Sequence, residues 1–224
     1  MYKMEKIDWY YVYSQRYSTF HRLLQDSVDK NLFRQHPLFV DQSFFDEHLY
    51  KHDGEHFLSR ITIKIDKTID IIESRIREEN KAPFIFSDCD LLVRPDWGKR
   101  VEYYSRLFEF DIIFQREFLT SFYVNNGFMM MIASEKTLKF WNDVRDLIIN
   151  EKIVDIQAVN RVLNGTHITY SCFSVRDVAS CQTMKTDEPC IYHILCGSIS
   201  REQDMEDKYF EARRFGVDID KYMT

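Results

Sequence analysis

The chain has 224 residues, 45% of them hydrophobic and 29% charged, with 18 Phe and 13 Tyr against six Gly and four Pro. That composition suits one large folded domain of regular elements with short connections, not a repeat-rich all-β scaffold. The net charge of −6 leaves no basic field for a phosphate backbone, so nucleic acid is not an expected partner.

Strands and helices alternate along the chain. Residues 9–13 (WYYVY) are aromatic and β-branched and predict a first strand. Residues 17–30 predict a helix, with Phe20, Leu23, Leu24 and Val28 near helical spacing. The stretch 31–55 reads less regularly, with a short apolar piece at 38–40 and a polar loop, YKHDGEH. Residues 57–79 carry the strongest helical pattern: Leu58, Ile61, Ile65, Ile69, Ile72 and Ile76 step by three or four and make one apolar stripe. A strand follows at 83–86 (PFIF), then a helical segment at 101–108 and strands at 111–115 (DIIFQ) and 126–133 (NGFMMMIA). Ser134 is placed to cap a helix running to Glu151. Residues 155–163 predict a short helix, 168–174 and 191–195 two late strands, and the charged tail from Glu202 a surface helix.

This order predicts a single-domain α/β, Rossmann-like fold: a mixed, mostly parallel sheet flanked by helices. In such sheets ligands bind beyond the carboxyl ends of the strands. No run of about 18 apolar residues exists to span a membrane, and the N-terminus has no secretory pattern. The five Cys (89, 172, 181, 190 and 196) are odd in number. Together these features predict a cytoplasmic protein with reduced thiols.

The stretch PFIFSDCDLLVRP, residues 83–95, places Asp88 and Asp90 between two apolar runs. In extended chain, residues i and i+2 point the same way, so both carboxylates can reach one cation. Oxygen ligands suit Mg²⁺ or Mn²⁺, which share their shell with ligand phosphates. The alternative is an ordinary strand-end loop, and a second copy, Asp218-Ile219-Asp220 in the polar tail, is read as chance. Cys181, Cys190, His193 and Cys196 offer a rival: a Cys₃His zinc site, though without a Cys-x-x-Cys pair. His56, Arg60 and Lys64 share one face of the long helix and offer either a solvated basic face or local positive charge for an anion. Asp155 reads from the residues alone as a helix N-cap.

FIFSDCDLLVRP, then FDIIFQRE, VNNGFMMMIAS and DIQAVNRVL, resembles in order and spacing the motif series of nucleotide-sugar-dependent glycosyltransferases of the GT-A fold. The resemblance covers residues 83–163, and the first strand and helix more loosely. It implies a metal-dependent enzyme that moves a sugar from a UDP- or GDP-linked donor to a glycan or other acceptor hydroxyl. Asp88 and Asp90 would hold Mn²⁺ or Mg²⁺ against the diphosphate, and His193 would complete the metal shell. Tyr13 and Ser14 would lie at the nucleotide base and Lys64 near the nucleotide. Asn125 would line the sugar or acceptor pocket, and Gly127 would let the backbone come close. Asp155 would face the reacting sugar as the catalytic residue. Here the chain departs from the pattern: the family's Asp-Gln is Asp155-Ile156, with Gln157, the remaining donor-site candidate, one step later. The implied division is a nucleotide-binding part over about residues 1–95, an acceptor-side part over about 96–200 and a helical tail over about 201–224.

Two other functions share parts of the pattern. A haloacid-dehalogenase-type phosphatase also follows an apolar strand with Asp-x-Asp and would use Asp88 as nucleophile, but that motif normally opens a chain. A non-catalytic α/β binding domain would use the carboxylates structurally.

Overall fold

The computed structural model describes residues 5–41, 55–106, 109–120, 123–180, 189–194 and 201–223. A six-stranded sheet forms the centre, in the order β2-β1-β3-β6-β5-β7. Its strands are β1 (Ile7–Tyr13), β2 (Phe33–Phe39), β3 (Phe84–Ser87), β5 (Ile112–Arg116), β6 (Val124–Met131) and β7 (Tyr170–Cys172). β6 pairs antiparallel with both β3 and β5, and the remaining pairs are parallel. A second sheet joins β4 (Leu91–Val93), β9 (Ile191–His193) and β8 (Val178–Ser180). The predicted mixed, mostly parallel α/β architecture is therefore the observed one.

Alternation along the strands sends side chains into two separate cores. Trp9, Tyr11, Ile85 and Ile113 enter a core shared with α1 (Ser18–Ser27), α3 (Trp97–Arg106), the second sheet and α6 (Arg201–Arg214). Tyr10, Phe84, Phe86, Ile112 and Phe114 enter the other, against α2 (Glu55–Arg77), α4 (Glu135–Glu151) and α5 (Asp155–Leu163). The isoleucine stripe of α2 meets this second core through Ile65, Ile69 and Ile72. Helix α4 starts as predicted: Ser134 Oγ accepts from Thr137 N, and Ser134 N donates to Thr137 Oγ1 at 2.9 Å. Among the described residues, no helix is long and apolar enough to cross a membrane.

Several expectations change. The piece read at 38–40 is the end of a full edge strand, β2, which the polar alternation Arg34, Gln35, His36 hid. β4 and β8 were not foreseen, because three residues are too few to show a period. Helix α6 is not a plain surface helix: Asp204, Met205, Lys208 and Ala212 are buried. The helix read at 101–108 begins earlier, at Trp97. Residues 50–54 of the polar loop, the side chains of His56 and Arg60, and Cys181, Leu195 and Cys196 lie outside what the structure describes.

At the amino ends of the strands a buried ion pair ties three elements together. Asp8 on β1 accepts from Arg75 Nη1 on α2 at 2.7 Å, from His36 Nε2 at 2.9 Å and from Arg34 Nη1 at 3.3 Å. Arg75 also donates to Ala82 O at 2.7 Å, fixing the turn into β3. Burial raises the pKa of Asp8, but the bonds from His36 and Arg75 outweigh it and hold the carboxyl below its ordinary value. A group depressed in the folded state stabilises above its unfolded pKa, and that stability is lost as pH falls through the folded value. Asp8→Asn is therefore expected to cost about 3 kcal/mol at neutral pH, because it leaves Arg75 short of its partner. The difference from wild type in urea unfolding should shrink as pH drops below about 4. A constant difference down to strongly acidic pH would count against this role.

Candidate metal centre

Asp88, Cys89 and Asp90 are the whole connection between β3 and β4, where the chain leaves one sheet for the other. Both ends of this link are pinned by backbone hydrogen bonds. Asp88 N donates to Gly127 O at 2.9 Å, and Ile194 N donates to Asp90 O at 3.0 Å. Just before the link, Ser87 Oγ accepts from Trp9 Nε1 at 2.9 Å. Cys89 turns into the core, and burial with the adjacent Asp90 and Asp88 carboxylates pushes its thiol well above the ordinary range. It is a packed thiol with no nucleophilic character.

The two carboxylates converge on His193, which β9 brings opposite Leu91. His193 Nε2 lies 3.4 Å from Asp90 Oδ1 and 3.7 Å from Asp88 Oδ2. One ligand atom from each of the three residues falls within 4.8 Å of the others. Asp88 is the open member, with 29% of its side chain exposed, while 2% of His193 is exposed. A ligand thus reaches the cluster from the Asp88 side.

Two ammonium groups flank it. Lys64 of α2 lies 2.8 Å from Asp88 Oδ1 and 3.8 Å from Asp155 Oδ2. Lys208 of α6 donates to Asp90 Oδ2 at 2.8 Å and to Ile194 O at 2.6 Å. Burial alone would neutralise each lysine, but Asp88 and Asp155 raise the pKa of Lys64, and Asp90, Tyr17 and Asp204 raise that of Lys208. Burial likewise works against the Asp90 carboxylate, yet the Lys208 ammonium beside it holds its pKa far below the ordinary value. Asp90 is thus an ionised carboxylate over the whole physiological range.

β6 distributes the remaining polar residues. Phe114 of β5 pairs with Met129 and the next residue, Gln115, with Asn125, so Asn126, Gly127 and Phe128 bulge away from β5. Such a bulge re-aims side chains. Asn126 donates to Asp155 Oδ2 at 2.8 Å. Asn125 donates to Glu117 Oε2 at 2.6 Å and accepts from Gly127 N at 2.6 Å. A Cβ on Gly127 would lie 2.1 Å from His193 Cε1. The glycine makes room for the imidazole ring.

The structure brings Lys64, Asp88, Asp90, Asp155 and His193 together. Asp155 is the first residue of α5, not its cap: the N-cap is Val154, with no side-chain cap bond. The Asp155 carboxylate is used toward Asn126 and Lys64 instead. Tyr13 and Ser14 end β1 on the same sheet edge, Tyr13 stacked on His21 with ring centroids 3.9 Å apart. Gln157 stands apart, in a surface groove of about 540 Å³ with Tyr123, Asn160 and Arg161. Of the Cys₃His pattern only Cys190 and His193 are described: Cys190 Sγ lies 3.7 Å from Asp96 Oδ2, while His193 joins the aspartates. The sequence reading missed Gln115, Glu117, Asn126 and Lys208. Gln115, a polar residue closing an apolar strand, and Glu117 and Asn126, each inside a quoted motif, gave a signal; Lys208 gave none.

No protein-family model and no curated protein matches this chain. Solved structures do. One is a glycosyltransferase involved in the glycosylation of the major capsid of PBCV-1, with a TM-score of 0.59, 11% identity, 92% of this chain covered and 100% of that one. Another is mouse xyloside xylosyltransferase 1, with a TM-score of 0.55, 8% identity and coverage of 86% and 98%. A third is the galactosyltransferase LgtC in complex with donor and acceptor sugar analogs, with a TM-score of 0.51, 13% identity and coverage of 93% and 99%. The chain has the GT-A glycosyltransferase fold. At these identities the likeness is one of fold.

The residues present suit the divalent ion that this fold implies. Two carboxylates and one imidazole nitrogen converge, and the opposite imidazole nitrogen is occupied by Gln115. Oxygen-rich ligand sets of this kind favour Mg²⁺ or Mn²⁺ over a thiolate metal. Gly127→Ala should push the His193 ring out of this arrangement. Calorimetric titration is expected to show Mn²⁺ binding weakened by about tenfold or more, and undiminished binding would remove His193 from the ligand set.

Proposed function

We propose that the protein is a metal-dependent glycosyltransferase, moving a sugar from a nucleotide-diphosphate sugar to an acceptor hydroxyl. The observation that carries this reading is the convergence of Asp88, Asp90 and His193 at the carboxyl edge of β3, within a GT-A fold. Among proteins sharing the fold, a galactosyltransferase and a xylosyltransferase support sugar transfer as the activity. No observation favours the phosphatase or the non-catalytic alternative.

In this reading Asp88, Asp90 and His193 hold Mn²⁺ or Mg²⁺. The ion, when bound, offsets the negative charge that builds on the departing diphosphate. Lys64 sits on the open side beside Asp88 and supplies a second cation to the phosphate oxygens. Tyr13 and Ser14, on the same edge, bind the base of a UDP- or GDP-linked donor. Asp155 faces the reacting sugar, its carboxylate fixed by Asn126. That bond sets the carboxylate's direction before substrate arrives, which is how a positioned group lowers a barrier. Asn125 backs the same pocket from within, its amide spent on Glu117 and Gly127. Gln157 contributes to donor binding from the groove it lines on α5. The acceptor is a glycan or another hydroxyl compound. The chain is read as one catalytic domain, with nucleotide-binding and acceptor-side parts, in a cytoplasmic protein.

Titration of UDP- and GDP-sugars by calorimetry, with and without Mn²⁺, tests the proposal. At least one donor is expected to bind only with the metal, raising unfolding stability by about 2.7 kcal/mol at a hundredfold excess over Kd. Asp88→Asn, at the more exposed of the two carboxylates, should abolish the metal-dependent part while the protein remains folded. If no common donor bound in a metal-dependent way, the transferase reading would fall.

A further inference from the structure

Gln115, on β5, is fully buried behind His193. Its Oε1 lies 3.0 Å from His193 Nδ1. An amide oxygen only accepts, so this bond needs the imidazole proton on Nδ1. A neutral imidazole carries one N–H, which leaves a lone pair on Nε2. Nε2 is the atom that faces Asp88 Oδ2 and Asp90 Oδ1, at 3.7 and 3.4 Å. Those gaps exceed a direct N–H···O bond of about 2.7–3.2 Å and fit ligand atoms arranged around a shared ion.

With the Gln115 amide reversed, its NH₂ would occupy Nδ1. Nε2 would then carry the proton and direct it at the two carboxylates. That cluster would be hydrogen-bonded and closed to a cation. The orientation of one buried amide therefore decides between a metal centre and an inert polar cluster. Two further observations single the side chain out. Gln115 Nε2 is buried with no hydrogen-bond partner among the described residues, a cost that cores ordinarily avoid unless the group has a task. The imidazole is also boxed in along its Cε1–Nδ1 edge, where Gly127 leaves no space for even a methyl group.

We propose that Gln115 is a positioning residue that fixes His193 in the tautomer with Nδ1 protonated and Nε2 free to ligate. This rests on reading Asp88, Asp90 and His193 as metal ligands. Partners of this kind orient metal-bound histidines and raise their basicity.

Metal-free protein labelled with ¹⁵N-histidine, at alkaline pH where an imidazole is neutral, provides the test. A long-range ¹H–¹⁵N correlation spectrum, with His193 assigned by comparison with His193→Asn, is expected to show Nδ1 protonated. Gln115→Glu keeps an acceptor at the same place and should retain that tautomer and Mn²⁺ affinity within a few-fold. Gln115→Met removes the acceptor and should give mixed tautomers, with Mn²⁺ affinity lower by about 10–100-fold in calorimetry. A wild-type Nε2-protonated ring, a wild type that binds no Mn²⁺, or a Met variant that binds as tightly as wild type each overturns the proposal. If Gln115→Met does not fold, the wild-type tautomer and the Glu variant decide. A wild type that binds Mn²⁺ but no nucleotide sugar would sink the transferase reading alone, so the two failures are distinguishable.

Discussion

A carboxylate in a protein interior must be compensated, and Asp90 is the carboxylate around which this molecule is organised. Its side chain is 10% exposed and ionised, 2.8 Å from the Lys208 ammonium. Leaving such a charge unpaired costs several kcal/mol, so helix α6 must dock where it does. The docking is held one turn earlier by Asp204, which meets Arg16 at 3.2 Å and accepts from the Tyr17 hydroxyl. The same Lys208 ammonium caps Ile194 O, just after β9, and β9 carries His193. Satisfying one charge therefore places the C-terminal helix, the second sheet and the imidazole together.

The second constraint is the break in β6. Val124 and Met129 face the same core although they are five positions apart, which a regular strand with a period of two would not allow. The bulge at Asn126–Phe128 absorbs the difference. It turns Asn126 toward α5 and Asp155 while Asn125 and Gly127 serve the His193 side. One irregularity thus supplies both layers of the sheet with polar groups at the edge where Asp88 leaves β3. No other strand pair among the described residues shifts register, so the irregularity is confined to the site.

Much of this was legible in the residues. Strand alternation and the isoleucine stripe of α2 are consequences of burial on a known period, and Ser134 announces a cap by its chemistry. The Asp88-x-Asp90 pair was legible as well, because charge between two apolar runs is costly without a purpose. Lys208 was not, since a lysine in a charged helix has the pattern of a solvated face and its partner is 118 positions away. Asp155 could be read either as a cap or as a site residue, because helix-starting chemistry and site chemistry use the same residue type. Gln115 lay in plain view at the end of DIIFQ, but its partner comes from a strand far along the chain.

The span between Asp90 and Lys208 bears on how the molecule comes into being. Contacts so distant in sequence close large loops and form late. Until α6 arrives, the link between β3 and β4 carries a carboxylate that cannot be buried without a counterion. The nascent chain must then keep that edge wet, take up a proton there, or borrow a cation from its surroundings. Helix α6 brings Lys208 to that carboxylate and lets the edge close.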